Sequence, residues 1–311
     1  MTRFRAERIG NGPIIRPGLA ESIGTNINGP SAIRVPDWVT DPFGRYYLYF
    51  ADHRGNHIRL AYADDIAGPW RIYAPGTLRL AESGFPASPN ELDPPPGLRE
   101  AVATGDLRPH IASPDVHVDN AARQIIMHFH GLTRNCAQIT CRAVSADGLE
   151  FGKITPTGAD FYARVFSWRG AAYAAALEGW LYRSPDGGLT FPERIRFADR
   201  SIRHVAVFIH DRQLNLVYSR IGDSPERLLS SRVEVDGHWQ SWKALEPAEL
   251  LHPQFDWEGG HLPATPSKPG PADTPENQLR DPYVLVDAND LWLFYSCAGE
   301  SGIGLARLLR R

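Results

Sequence analysis

Sulfur is scarce in this chain, with 2 methionines and 3 cysteines in 311 residues. Cys136, Cys141 and Cys297 are odd in number and lie on or beside apolar runs, which fits reduced, buried thiols and argues against a disulfide framework or a thiolate metal site. Charge of one sign is missing as well. With 33 Lys and Arg against 36 Asp and Glu, the formal net charge is -3, and no basic face is there to neutralise phosphates, so nucleic acid is excluded as an expected partner. Long apolar runs are absent: nothing approaches the roughly 18 residues that span a bilayer. The opening Met1-Thr-Arg-Phe-Arg-Ala-Glu7 has no apolar signal core, so the expectation is a cytoplasmic protein with no membrane partner.

Turn chemistry is abundant instead. The 28 Gly and 26 Pro fall mostly between short β-type runs, and those runs repeat. First strands read Pro30-Ser-Ala-Ile-Arg-Val35, Ser113-Pro-Asp-Val-His-Val118, Tyr162-Ala-Arg-Val-Phe166, His204-Val-Ala-Val-Phe-Ile209 and Asp281-Pro-Tyr-Val-Leu-Val286. Each is followed by a second apolar strand, such as Tyr46-Tyr-Leu-Tyr-Phe50 or Leu291-Trp-Leu-Phe-Tyr295, and by a third that runs into a Gly-containing turn or, in the last copy, into the C-terminus. Five copies predict an all-β fold, a five-bladed β-propeller of four-stranded antiparallel blades, read as one domain over 1–311. The last copy lacks a fourth strand, and the segment Arg3 to Ile9 is expected to supply it and close the ring. Ser184-Pro-Asp-Gly-Gly-Leu-Thr-Phe191 matches the Asp-box hairpin of sialidase-like propellers, which supports the fold and is silent on chemistry.

Two stretches interrupt the repeat, one from about 74 to 112 with a short helix expected at Gly97–Ala103, the other from about 252 to 279. Structureless excursions of this length are usually functional or disordered. Both precede a first strand, so both are expected to overhang the same mouth of the propeller, where first strands open and second strands end. Strand openings bring Asn28 and Ser31, His110 and Asp115, Tyr162 and Arg164, His204, and Arg280 and Asp281 to that rim. Second strands add His53, His128 and His130, Glu178, Tyr218 and Arg220, and Glu300, with Trp38 and Trp257 expected nearby. Carboxylates, imidazoles and guanidinium groups beside aromatic faces suit a polyhydroxylated ligand, so the expected partner is a carbohydrate.

The segments Asn28-Gly-Pro-Ser-Ala-Ile-Arg-Val35, Ser113-Pro-Asp-Val-His-Val118 and Arg280-Asp-Pro-Tyr-Val-Leu-Val286 resemble the blades of glycoside hydrolase family 43 and its five-bladed relatives in families 32, 62, 117 and 130. The resemblance covers nearly the whole chain as a blade pattern. It implies a carbohydrate-active enzyme that hydrolyses short glycosides with inversion, using an Asp base, a second Asp that tunes and orients, and a Glu acid. It also implies a water or a calcium ion on the axis, with no other cofactor required. Gly29 and Ser113 stand where the Asp of an Asp-Pro blade opening would fall, and Asp281 keeps it.

Hydrolysis needs one carboxyl protonated and another ionised. Asp115, Glu178 and Asp281 are the catalytic candidates: Glu178 follows the alanine-rich run 171–176, an apolar wall expected to raise its pKa, and Asp281 beside Arg280 should stay ionised. The histidines offer a second constellation. His128 and His130, two apart on one strand, should share a face and could hold a metal, with His53 reaching the same rim. The same groups would serve a uronate lyase, with His or Tyr as base and Arg164 or Arg220 on the carboxylate, and a glycan-binding propeller without catalysis is the third reading. His117, between Val116 and Val118, is expected to be a buried structural hydrogen-bonder.

Overall fold

Side chains alternate along each second strand, and that alternation decides how the blades pack. In blade one Tyr47 and Tyr49 face blade two, meeting Val116, Met127 and Phe129. Leu48 and Phe50 face the other way, against Leu285, Phe294 and Leu305 of blade five. A computed structural model describes residues 4–310 and shows this between every pair of neighbouring blades. The layer between blades two and three is the thinnest, built from Ala159, Ala174 and Ala176 with Tyr182 and Phe191, which is why strand 171–176 is rich in alanine.

There are five antiparallel sheets. Blade one is Asn28–Arg34, Tyr46–Ala51, His57–Ala63 and Arg71–Arg79; blade two is Ile111–Asp119, Gln124–Leu132, Gln138–Ser145 and Gly152–Asp160. Blade three runs Arg164–Trp168, Ala171–Ala176, Trp180–Arg183 and Glu193–Arg196. Blade four runs Ile202–His210, Gln213–Arg220 and Leu228–Glu234, its outer edge shared by Lys243–Ala244 and Ala248–Leu251. Blade five is Arg280–Asp287, Asp290–Ser296 and Ile303–Arg310, completed by Phe4–Arg8, which pairs with the last strand in register Phe4 to Arg310 through Arg8 to Ala306. Ring closure by the N-terminal strand therefore holds for Phe4–Arg8; Arg3 of the expected strand lies outside the described residues. No helix among the described residues is long and apolar enough to cross a membrane.

The Asp-box forms as expected: Ser184 Oγ donates to Asp186, and Asp186 accepts from the Thr190 amide and hydroxyl. Blade two carries a second copy that the sequence reading passed over, Ser145 and Asp147 bound to each other and to the amides of Gly148 and Leu149.

At the front of four blades the ladder between first and second strands slips, between Asn28 and Ser31, Ala112 and Asp115, Ile202 and Val205, and Arg280 and Tyr283. The two residues inside each slip leave the ladder as a bulge, a device that re-aims side chains. Gly29, Ser113 and Asp281 occupy the same bulge position with φ of 60°, 52° and 46°, and Tyr162, just before blade three, has φ 59°. A non-glycine residue held there costs about 1–2 kcal/mol, and such strain clusters where function needs a side chain placed. The alignment of Gly29 with the Asp of blade five is thus a conformational equivalence as well as a sequence one.

Candidate active site

The bulges of blades four and five bring His204 and Asp281 to the mouth, where strand ends and turns add further polar side chains in a ring. The Tyr162 ring stands edge-on to His204, 4.1 Å between centroids, and to His130 at 4.7 Å. His130 in turn meets His110 at 5.5 Å. His204 Nδ1 lies against Asp281, which also accepts from the Ser296 hydroxyl at 3.0 Å. Glu300 completes the ring: it lies 3.2 Å from His53 Nδ1, and it accepts from Arg280 at 3.1 Å, Asn26 at 2.8 Å and Asn28 at 3.2 Å. Nearly all of it is buried, with Asp281, Glu300, His130 and Arg280 at 2%, 1%, 1% and 1% exposure.

Burial opposes ionisation of Asp281, but the adjoining His204 imidazole, Arg280 and the Ser296 hydroxyl win and hold its carboxyl well below the usual range. Glu300 follows the same rule, burial outweighed by His53 and Arg280. Both are ionised at neutral pH, as expected for Asp281. Burial pushes His130 and His110 down, so His130 is a neutral imidazole whose two ring nitrogens have no hydrogen-bond partner. Tyr162 is pushed up by burial and by the two carboxylates.

Lowered carboxyl values have a definite sign in stability. Unfolded Asp and Glu titrate near pH 4, so the native ring gains stability above that pH and loses it as pH falls through the lower folded values. Urea midpoints are expected to fall steeply below about pH 4, with a shallower acid limb in Asp281→Asn; an unchanged limb in that variant would contradict the assignment.

The excursion 252–279 serves the mouth directly. Arg203 and Arg280 flank buried Glu226 at 2.9 and 3.6 Å, and both guanidinium groups donate to the Gly270 carbonyl, with Arg203 also on the Lys268 carbonyl. Glu226 and Asn26 were missed by the sequence reading. A signal was there for Glu226, which precedes the third strand of blade four as Glu300 precedes that of blade five. The excursion before blade two begins only after Arg79, because Arg71–Arg79 is the fourth strand of blade one. Its short helix forms over Arg99–Thr104, and the Arg108 carbonyl holds His110 Nδ1 at 2.8 Å.

Several expected mouth residues lie elsewhere. Glu178 turns toward the outermost strand of its blade, 3.5 Å from Arg196, with its side chain 53% exposed, so the apolar wall expected around it is absent. Tyr218 is buried in the core between blades three and four. Arg220 pairs with Asp223 at 3.4 Å. Trp38 follows a first strand, hence sits at the opposite face, bonded to Asn120; Trp257 packs against Phe255 and Tyr295. Ser31, Asp115 and Arg164 form a layer one step deeper. Ser31 accepts from the Val116 amide, and Arg164 lies 3.6 Å from Asp115, donates to the Pro30 and Pro114 carbonyls, and lies 5.6 Å from the Tyr283 ring. His128 belongs to that deeper layer, opposite Asp115, while His130 lies at the mouth opposite Ala112, so the two do not meet at one site.

Among the solved structures that share this fold are family-43 glycoside hydrolases. A thermostable member superposes with TM-score 0.60 at 13% identity, covering 92% of this chain and 89% of its own. The Xanthomonas citri enzyme solved with xylose gives 0.59 at 12%, covering 96% and 90%. A β-xylosidase/α-arabinofuranosidase from a compost metagenome, solved with xylotriose, gives 0.58 at 11%, covering 96% and 94%. Identities this low speak for the fold alone. No protein-family model matches the sequence. In sequence the chain is similar to "Uncharacterized protein R118" of Acanthamoeba polyphaga mimivirus, 36% identical over 91% of this chain and 83% of that protein. At that identity and coverage, the chain belongs to the same family as the mimivirus protein.

Proposed function

We propose that the chain is a carbohydrate-active enzyme that hydrolyses a glycosidic bond of a short oligosaccharide at the propeller mouth. The observation that carries this reading is the pair of imidazole–carboxylate couples, buried His204 with Asp281 and part-exposed His53 with buried Glu300, on one ring with Tyr162. Cleavage needs one group to protonate the leaving oxygen and another to activate water. Two ionised carboxylates cannot donate, but an imidazole can, and a carboxylate on Nδ1 fixes which ring nitrogen is presented to a substrate. His204 Nε2 is buried and has no partner in the protein. The xylose and xylotriose held by proteins of the same fold support a sugar as ligand.

Elimination from a uronate is the second reading, favoured by Tyr162 standing on His204. It needs a guanidinium free to neutralise the substrate carboxylate. Arg203 and Arg280 are instead occupied by Glu226, Glu300, Gln278 and backbone carbonyls. Hydrolysis is therefore preferred. Product analysis over neutral and uronate-containing oligosaccharides decides: saturated reducing sugars are expected. Products absorbing in the near ultraviolet would transfer the site to the lyase reading, and binding without turnover would reduce it to a glycan receptor.

A further inference from the structure

Behind the mouth the chain carries a group of donor side chains that the proposed reaction does not use. Asp115 and His117 alternate along the first strand of blade two and so share a face, and His128 on the neighbouring strand stands in register with Asp115. One donor atom from each residue lies within 4.8 Å of the other two. His117 Nε2 is 2.7 Å from Asp115 Oδ2, and the two imidazole centroids are 5.9 Å apart. His128 is 3% exposed, and neither of its ring nitrogens has a hydrogen-bond partner. Leaving a buried polar group unpaired costs about 1–3 kcal/mol, so an unused lone pair at this place calls for an acceptor of electrons.

We propose that Asp115, His117 and His128 bind a late first-row divalent ion of the zinc class, at a site separate from the mouth. Two imidazoles and one carboxylate form the donor set that zinc and its neighbours take in three-ligand sites, whereas calcium and magnesium need more oxygens than this group offers. The Val165 amide donates to Asp115 Oδ2 at 2.7 Å and Arg164 stands on its other oxygen, which fixes the carboxylate in the manner of outer-shell partners. The guanidinium also repels a cation, so affinity is expected below that of a closed structural zinc site. The fourth position faces outward: a pocket of 370 Å³ at the back end of the axis is lined by Asp115 and His117 together with Phe166, Phe208 and Tyr283. The His117 side chain is 35% exposed there, giving an ion a route in and room for a water. This site differs from the axial calcium of the sequence-based expectation in donors, in depth and in pairing His128 with His117, not with His130.

Chelator-stripped full-length protein is titrated with Co2+, read by visible absorption, and with Zn2+, read by calorimetry. One ion per chain is expected, with no comparable heat from Ca2+ or Mg2+. His117→Asn, at a half-exposed position that tolerates the change, should weaken binding by roughly 100-fold or more, and His128→Asn likewise. His53→Asn, at the mouth, should leave metal affinity unchanged. The proposal is overturned if folded wild type binds no Co2+, if Ca2+ is preferred, if His117→Asn binds as tightly as wild type, or if His53→Asn alone abolishes binding.

Discussion

His204→Asn is expected to lower kcat on an unactivated oligosaccharide by about 10²–10⁴-fold, the usual worth of a positioned acid or base. Asp281→Asn should cost nearly as much, although Asp281 acts through His204: an amide on Nδ1 no longer selects the tautomer and no longer stabilises the imidazolium. The two losses should not add, because the residues act as one unit, and the double variant should match the worse single one. On an aryl glycoside with an activated leaving group, the deficit should shrink sharply if His204 donates the proton and persist if it activates water, so the same panel assigns the role. Glu178→Gln is the internal comparison. Its carboxylate is half in solvent on Arg196, and its turnover is expected within a few-fold of wild type. Wild-type rates in both His204→Asn and Asp281→Asn, with folding intact by thermal melting, would remove the mouth couple from the mechanism.

The architecture was legible because repeats average out local ambiguity. Five copies of the same strand order, each with alternation and a turn, fix blade boundaries that no single segment would, and they even identify Phe4–Arg8 as the missing strand. What the repeats also offer is a list of equivalent positions, which explains the correct gathering of His53, His110, His130, Tyr162, His204, Asp281 and Glu300 at one mouth. Depth along the axis is not in that list. Ser31, Asp115 and Arg164 each sit two positions after a positive-φ residue, Gly29, Ser113 and Tyr162, and so fall one layer lower, and the bulge between Ala112 and Asp115, which puts His130 and His128 in different layers, leaves no mark in composition. Side-chain direction at strand ends is equally hidden. Glu178 lies in a short turn where φ is 58°, and this turn, not strand alternation, points it toward Arg196. His117, expected to be a buried structural hydrogen-bonder, does bond Asp115 but keeps its side chain 35% exposed at the axial pocket; alternate residues share a face, so Asp115 two positions before it was the signal.

Gly29 of blade one stands at the bulge position that Asp281 fills in blade five. A Cβ on Gly29 would lie 3.4 Å from the Ser113 Cα, an ordinary contact, so it is the φ of 60° more than lack of space that disfavours a side chain there. The ionised Asp281 and Glu300 lie on blade five, with Arg280 beside them and His204 of blade four against Asp281. Blade five is the ring neighbour of blade one, and Asn28 of blade one donates to Glu300 across that seam.

Arg8→Ala is expected to be the most damaging single change to stability outside the interblade cores, at about 3–5 kcal/mol, because it strands a buried charge. Arg8 is on the closing strand. Its guanidinium holds Glu258 through Nε at 2.7 Å and Nη2 at 2.9 Å, and it donates to the His252 carbonyl and the Gln254 side chain. Glu258 is 0% exposed and also accepts from the Tyr295 hydroxyl at 2.9 Å and from the Gln254 amide, so its charge has no water to fall back on. Against a total stability on the order of 5–15 kcal/mol, a loss of this size shows as a large drop in urea midpoint. Replacing both partners, Arg8→Met with Glu258→Gln, should recover much of it, since the cost lies in the unpaired charge more than in the lost attraction. The same contact has a second reach. Glu258 roots the excursion 252–279, whose far end supplies the Gly270 and Lys268 carbonyls to Arg203 and Arg280. Folded Arg8→Ala protein should thus turn over more slowly at saturating substrate even where the ring closes, and equal stability and turnover in this variant would show that the excursion is anchored without the closing strand.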